Sequence, residues 1–305
     1  MQLPRIFRLS MVALSSLSCL QEVSALKIEP AEDQSSLKIL KDGLSAPLLT
    51  QHTGPNERPL IHPLLPAEGG EAITGTHTTG EGIFWAFPDI NGRDFFTNRG
   101  EGYWQRESVA IILAEGDTVS WQTTYHLLGT DGAPLMKETQ TWSLSDRGDR
   151  FHLDLEWGGE AMRALTIAKA EKGGLYIQSN WSPGREAAIE NTARQRNQNA
   201  DGQPSMWADV GVRLKDRPGL AHLSIFDHPN NPGFPQRWHV SEAFGLGPVP
   251  ARTEDWSMAK GEMSLLKYRI LAHTGEFNNV DITSAWSQYS GLSGTWALWG
   301  IAQRE

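Results

Sequence analysis

Thr118–Leu128 reads TVSWQTTYHLL, and Val119, Trp121, Thr123 and Tyr125 fall on alternate positions. FHLDLEW, residues 151–157, repeats the pattern with Phe151, Leu153, Leu155 and Trp157. A period of two puts these side chains on one face of an extended strand, whereas a helix would scatter them around its circumference. Outward from this pair, strand-like runs recur at 108–113, 139–144, 163–169, 175–178, 206–214, 220–226 and 264–273. The turn signals Glu115-Gly116-Asp117, Thr130-Asp131-Gly132, Asp146-Arg147-Gly148-Asp149 and Lys172-Gly173-Gly174 divide them. Residues 26–49 read as a further hairpin. The whole predicts an all-β antiparallel sandwich with few short helices. With no internal repeat and no long linker, residues 26–305 are expected to form a single β-sandwich domain. Within the polar stretch 180–203, one helical turn is expected at 186–192, and Asp281 or Thr283 is the expected cap of a short helix holding Trp286 and Tyr289.

The start of the chain is a separate matter. Arg5 and Arg8 precede an apolar run from Leu9 to Leu20, and Val23-Ser24-Ala25 supplies small residues, so residues 1–25 read as a signal peptide cleaved after Ala25. Cys19 lies inside that run with Ser16 three positions before it, which does not fit lipid attachment. The expected destination is periplasmic or extracellular. Removing two arginines and one glutamate changes the net charge from −9 to −9 − (+2 − 1) = −10. That charge disfavours nucleic acid and anionic membrane as partners, and no later apolar run is long enough for a spanning helix. The one cysteine departs with the leader, so disulfides and thiolate chemistry are excluded and stability must come from packing, for which 12 Trp and 10 Phe supply the rings. The oligomeric state is left open.

Residues 224–240, SIFDHPNNPGFPQRWHV, begin as a strand and break into a loop in which Pro229, Pro232 and Pro235 recur every third position. Along this stiffened backbone hang Asp227, His228, Asn231, Arg237, Trp238 and His239, a density of acid/base, amide and aromatic groups beyond what a connection needs. Upstream, His62 sits in RPLIHPLLP. Residues 69–104 then mix eight glycines with Phe84, Trp85, Phe87, Phe95, Phe96, Tyr103 and Trp104, alongside His77, Asn91 and Asp94. Glycines that admit a ligand to the backbone, next to rings that stack on it, suit a flat or sugar-like molecule. The candidate acid/base set is therefore His62, His77, Asp227, His228 and His239, expected to meet in one cleft. Trp85, Asn91, Asp94, Asn231, Arg237 and Trp238 are the candidate ligand contacts, and neither metal nor cofactor is expected.

The string Phe226-Asp227-His228-Pro229, Asn231-Pro232 and Trp238-His239, together with HPLL near Ile61, GIFWAFPDINGRDFF, AEKGGLYIQS, MWADV and GEMSLLKYRILAHTG, resembles a secreted bacterial family of unknown function labelled "methane oxygenase PmoA". That resemblance implies a galactose mutarotase-like super-sandwich and an association with carbohydrate-degrading systems. Members carry an H-x-H-H-R-G string before the G-[IL]-W strand; here His77-Thr78-Thr79-Gly80-Glu81-Gly82 keeps only its first histidine. Three readings follow. The first is a carbohydrate-active protein using histidine and carboxylate for proton transfer; the second is a non-catalytic sugar-binding or cell-envelope protein using the same pocket. The third and weakest is a metal-dependent oxygenase.

Overall fold

The alternation at 118–128 and 151–157 becomes two strands of an antiparallel eight-stranded sheet, the second of them near its centre. Its spatial order is Ala187–Asn191, Trp207–Val212, Leu220–Asp227, Met263–Gly275, Phe151–Ala161, Pro134–Asp146, Thr118–Leu128 and Trp104–Leu113. A nine-stranded sheet runs Arg237–Val240, Gly245–Val249, Gly174–Gln178, Ile83–Ala86, Leu60–Leu64, Leu49–His52, Ser36–Lys41, Leu26–Pro30 and Glu115–Gly116. This computed structural model describes residues 25–78, 80–215 and 217–292. The leader reading therefore lies, but for Ala25, outside the described residues.

The two sheets close on each other because each presents one apolar face. Along Phe151–Ala161 every odd-numbered residue is buried and every even-numbered one is less so. Trp157 stacks on Trp85 of the other sheet with ring centroids 4.4 Å apart and planes 20° from parallel, and Tyr268 lies 6.0 Å from Trp85. An aromatic ring fully withdrawn from water removes about 200 Å² of surface, on the order of 5 kcal/mol. Some of the core's polar atoms are partnered: Trp157 and Gln140 donate to Glu138 at 3.0 and 2.8 Å, and Trp142 donates to Gln140 at 3.0 Å, whereas the Trp85 indole N–H has no partner among the described residues. Burial nevertheless pushes the Glu138 carboxyl up to about 7, against the pull of those two donors.

Two local expectations are corrected. Residues 186–192 hold no helical turn: Ala187–Asn191 is the edge strand of the eight-stranded sheet, with Ile189 opposite Val210 and Glu190 opposite Asp209. Five residues are too few to repay helix nucleation, and the sheet satisfies the same backbone groups at once. The C-terminal helix, Asn279–Ser290, is capped by Asn278, whose side chain accepts from the Val280 amide at 2.9 Å, while Asp281 lies in the first turn. Its apolar side seats Ile282 and Trp286 against Met206, Trp207 and Phe226. Among the described residues no helix is long and apolar enough to cross a membrane.

Candidate functional site

The proline-rich loop holds its shape by folding its polar groups inward. Asp227 is fully buried at the end of Leu220–Asp227. One carboxylate oxygen accepts from Asn231 Nδ2 and the other from the Gln236 amide, each at 2.8 Å. Asn231 also bridges to the adjacent strand, donating to the Lys267 carbonyl and accepting from its amide, both at 2.7 Å. Gln236 accepts from the Tyr268 hydroxyl at 2.8 Å, and Trp286 donates to the Asp227 carbonyl at 2.9 Å. Burial pushes the Asp227 carboxyl up to about 7 despite the Gln236 and Asn231 donors. His228 leaves this knot on the side of the C-terminal helix, edge-on to Tyr289 at 5.2 Å.

The other nominated residues are distributed as follows. His62 lies half-buried under Gly82, its Nδ1 3.0 Å from the Thr74 hydroxyl; burial lowers its pKa and Glu81 partly offsets this. Trp85 belongs to the inter-sheet core, and Trp238 is buried with its indole donating to the Ser205 carbonyl at 2.8 Å. Asn91 adopts a positive φ of 52° in a turn and accepts from the Thr166 amide at 2.8 Å. Asp94 accepts from the amides of Phe96 and Thr97 at 2.8 and 2.9 Å, which shapes the loop carrying Phe96. Arg237 donates to the Gly202 carbonyl at 2.7 Å and lines a groove of about 390 Å³ with Gln203, Pro235 and Arg252. Among its described lining residues that groove has cations and amides but no base.

His77 and His239 do come together. They line one open cleft of about 700 Å³ with Lys172, Asp201, Ser241 and Glu242, on the outer face of the nine-stranded sheet. The sequence explains why the cleft forms there. Thr76–His77 and Gly80–Glu81 make a short ribbon that lies over Tyr176 and Phe84, and a Cβ on Gly80 would come within 2.9 Å of the Tyr176 ring and 3.0 Å of the Phe84 ring. Only glycine lets the ribbon approach so closely. His239 stacks at 6.1 Å and 26° on Tyr176, and its Nδ1 is 3.3 Å from Asp201. Asp201 in turn accepts from the Val240 amide and from Arg252, each at 2.9 Å. Burial would raise the Asp201 carboxyl, but those two donors outweigh it and hold it low. Burial lowers the His239 pKa while Asp201 pulls the other way. The result is a neutral imidazole whose Nδ1 proton goes to Asp201, leaving Nε2 with the lone pair. Asp201 and Lys172 were missed in the sequence, since nothing local marks a carboxylate 38 residues from its histidine.

The model of DUF6807, a family of unknown function, matches residues 40–287, most of the chain and all of the cleft. The chain belongs to DUF6807. No curated protein matches it. Among solved structures, this DUF6807 member is similar to the α-galactosidase AgaB of Geobacillus stearothermophilus, at 8% identity and TM-score 0.43, over 83% of this chain and 42% of that one. It is also similar to an α-galactosidase from Lactobacillus brevis (10%, TM-score 0.36, 87% and 40%) and to a galactose mutarotase-related enzyme from Lactobacillus acidophilus (7%, TM-score 0.33, 82% and 99%). The chain thus spans about two fifths of the length of these α-galactosidases.

On the eight-stranded sheet the DUF6807 chain holds a second acid/base cluster that the sequence reading also missed. Asp209 lies opposite Ser224, and His222 opposite His273, on neighbouring strands. Asp209 accepts from Ser224 at 2.6 Å and pairs with His222 Nδ1 at 2.7 Å. Gly211 makes room for the His222 ring, which a Cβ there would meet at 2.5 Å. Burial opposes both charges, yet the mutual attraction prevails: the His222 pKa is raised and the Asp209 pKa lowered. Burial lowers His273 to about 4. Two imidazoles and a carboxylate with donor atoms within 4.8 Å of one another are a possible ligand set for a divalent transition metal. However, the two rings are parallel within 7°, so their in-plane lone pairs do not converge on one point. This arrangement is that of a buried ion pair beside a neutral histidine.

Proposed function

We propose that this protein is an exported carbohydrate-active protein that binds a sugar in the cleft of His77 and His239 and exchanges protons with one of its hydroxyls. One observation carries the reading: the Asp201–His239 pair stands at an open cleft, with Nε2 as the ring nitrogen left for a ligand. His239 takes the hydroxyl or anomeric proton, and Asp201 stabilises the imidazolium that results. His77, on the ribbon wall, is the second imidazole and returns a proton to the departing or ring oxygen. Ser241, Glu242 and Gln198 supply the hydrogen-bonding rim that a polyhydroxylated ligand requires. Trp181 stands 6.4 Å from His77 and 5.3 Å from Phe244, an aromatic wall for an apolar sugar face.

The test is a panel of mono- and oligosaccharides screened for binding by calorimetry and for turnover by NMR, with wild type, His239→Ala and Asp201→Asn. Turnover lost in His239→Ala with binding kept within about tenfold supports proton transfer. Binding by all three with no turnover by any sinks the catalytic half and leaves a sugar-binding protein. That second reading is favoured by Thr79 and Gly80, which stand where the resembling family has further histidines.

A further inference from the structure

Beside the cleft, and sharing His77 and Lys172 with it, is a recess of about 170 Å³ lined also by Arg58, Gly80, Phe96 and Arg99. Arg58 is its unusual member. Its side chain is 3% exposed, its Nη1 donates to the Phe96 carbonyl at 2.6 Å, and its Nε has no partner. Among the described residues no carboxylate forms an ion pair with it; Glu138, Glu81 and Asp94 act on it only from farther away. The guanidinium is held instead by Phe84, whose ring centre lies 3.5 Å from it, and Lys172 Nζ sits 4.6 Å over the Phe96 ring. The recess's third cation, Arg99, is paired with Glu81 at 2.5 Å. Burial, and the like charge of Arg99 after it, lower the Arg58 pKa to about 9. Desolvating a guanidinium without a counter-charge is costly, and in a chain of net charge −9 three cations converge on a recess with no carboxylate among its described lining residues.

We propose that this recess receives the carboxylate of an acidic sugar, so that the ligand of the cleft is a uronate-containing saccharide. The inference rests on the sugar-binding reading above and narrows its substrate class. The carboxylate would supply the missing counter-charge to Arg58 and Lys172, while His77, which lines both recess and cleft, places the sugar ring next to His239. Charge-assisted bonds from arginine and lysine to a carboxylate are the stronger class of hydrogen bond, and a cation already stripped of water forms them without a further desolvation step.

Calorimetry with galacturonate and glucuronate oligosaccharides, their methyl esters, the neutral galactose and glucose counterparts, and inorganic sulfate tests this on the full chain. The expected result is tenfold or greater preference for the free acids over esters and neutral sugars, shrinking as NaCl is raised. Lys172→Met and Arg58→Met should each abolish the preference; Lys172 is the safer variant because it is less buried, and circular dichroism checks that both fold. Equal binding of acids and neutral sugars, or a preference untouched by both variants, overturns the acidic-sugar assignment and leaves the sugar-binding reading standing. Sulfate competing as well as the uronates also overturns it, since the recess would then be a simple oxyanion site. Binding of no sugar at all overturns both.

Discussion

Asp227→Ala separates a scaffold role from a catalytic one. The substitution removes the acceptors of two hydrogen bonds, both 2.8 Å long. Asn231 Nδ2 keeps its second acceptor, the Lys267 carbonyl, so its loss is one bond, about 1 kcal/mol. The Gln236 amide has no such reserve and becomes a buried orphan at about 1–3 kcal/mol. The sum is about 2–4 kcal/mol, or roughly 5–10 °C in Tm for a chain of this size. The pH dependence sharpens the test. Because the folded pKa, about 7, lies above the unfolded value of 3.8, the carboxyl's contribution is complete below pH 3.8 and declines as pH rises toward 7. The decline is at most about 1.4 kcal/mol per pH unit. The gap between wild type and Asp227→Ala should therefore be widest at about pH 4 and below and narrow toward pH 7, in urea unfolding followed by tryptophan fluorescence. Comparing the two proteins at each pH cancels every other titrating group. Sugar affinity at pH 7 should stay within about threefold. Unchanged stability at pH 5, a gap that widens with pH, or selective loss of sugar binding in a stable variant would refute the scaffold assignment.

Trp157→Ala should cost about 3–5 kcal/mol in urea unfolding, because it empties the centre of the Trp85 stack and takes a donor from Glu138. His273, with a folded pKa of about 4 against 6.5, contributes stability that is present above pH 6.5 and is lost as pH falls through 4; His273→Asn should flatten that acid slope. For His222 the sign is opposite: its folded pKa is raised, so its share is complete below 6.5 and lost as pH rises through the folded value, which an NMR titration of its ring protons will show as a midpoint above 6.5. Mass spectrometry of exported protein should give a chain beginning at Leu26, and a lipid-modified Cys19 would contradict the leader reading.

The strands were legible where one face is buried and the other is not. Thr118–Leu128 keeps its alternation except at Thr124, which is buried between Thr123 and Tyr125, and its ends coincide with the predicted ones. Alternation fails in Ile83–Ala86, where all four residues are buried: Trp85 faces the other sheet and Phe84 packs against Phe96 and Tyr176 on the opposite side. A short strand covered on both sides carries no period, so the sequence could not tell Trp85 in the core from a ring offered to a ligand. The polar loop misled for a related reason. Asp227, Asn231 and Gln236 are the residue types of a site, and only the path of the backbone reveals that they satisfy one another. His77 and His239 were visible as residues, but their partners were not. Asp201 reaches His239 from the loop after a 3₁₀ turn at Asn197–Ala200, a contact set by tertiary packing alone.

The two histidine–aspartate pairs show how position decides what the same chemistry does. Asp209–His222 is the tighter pair, at 2.7 Å against 3.3 Å, and both its side chains are less than 5% exposed. There the carboxylate is shared with Ser224, one ring face is covered by His273, and Phe277 lies 6.0 Å from the His222 ring. A proton moved within that pair has nowhere to go, so its free energy is spent on the fold. Asp201–His239 is looser and more exposed, with the carboxylate anchored from behind by Arg252 and the Val240 amide. Anchoring fixes which imidazole nitrogen is protonated, while exposure lets the other meet a ligand. The looser pair is for that reason the one we propose as the base.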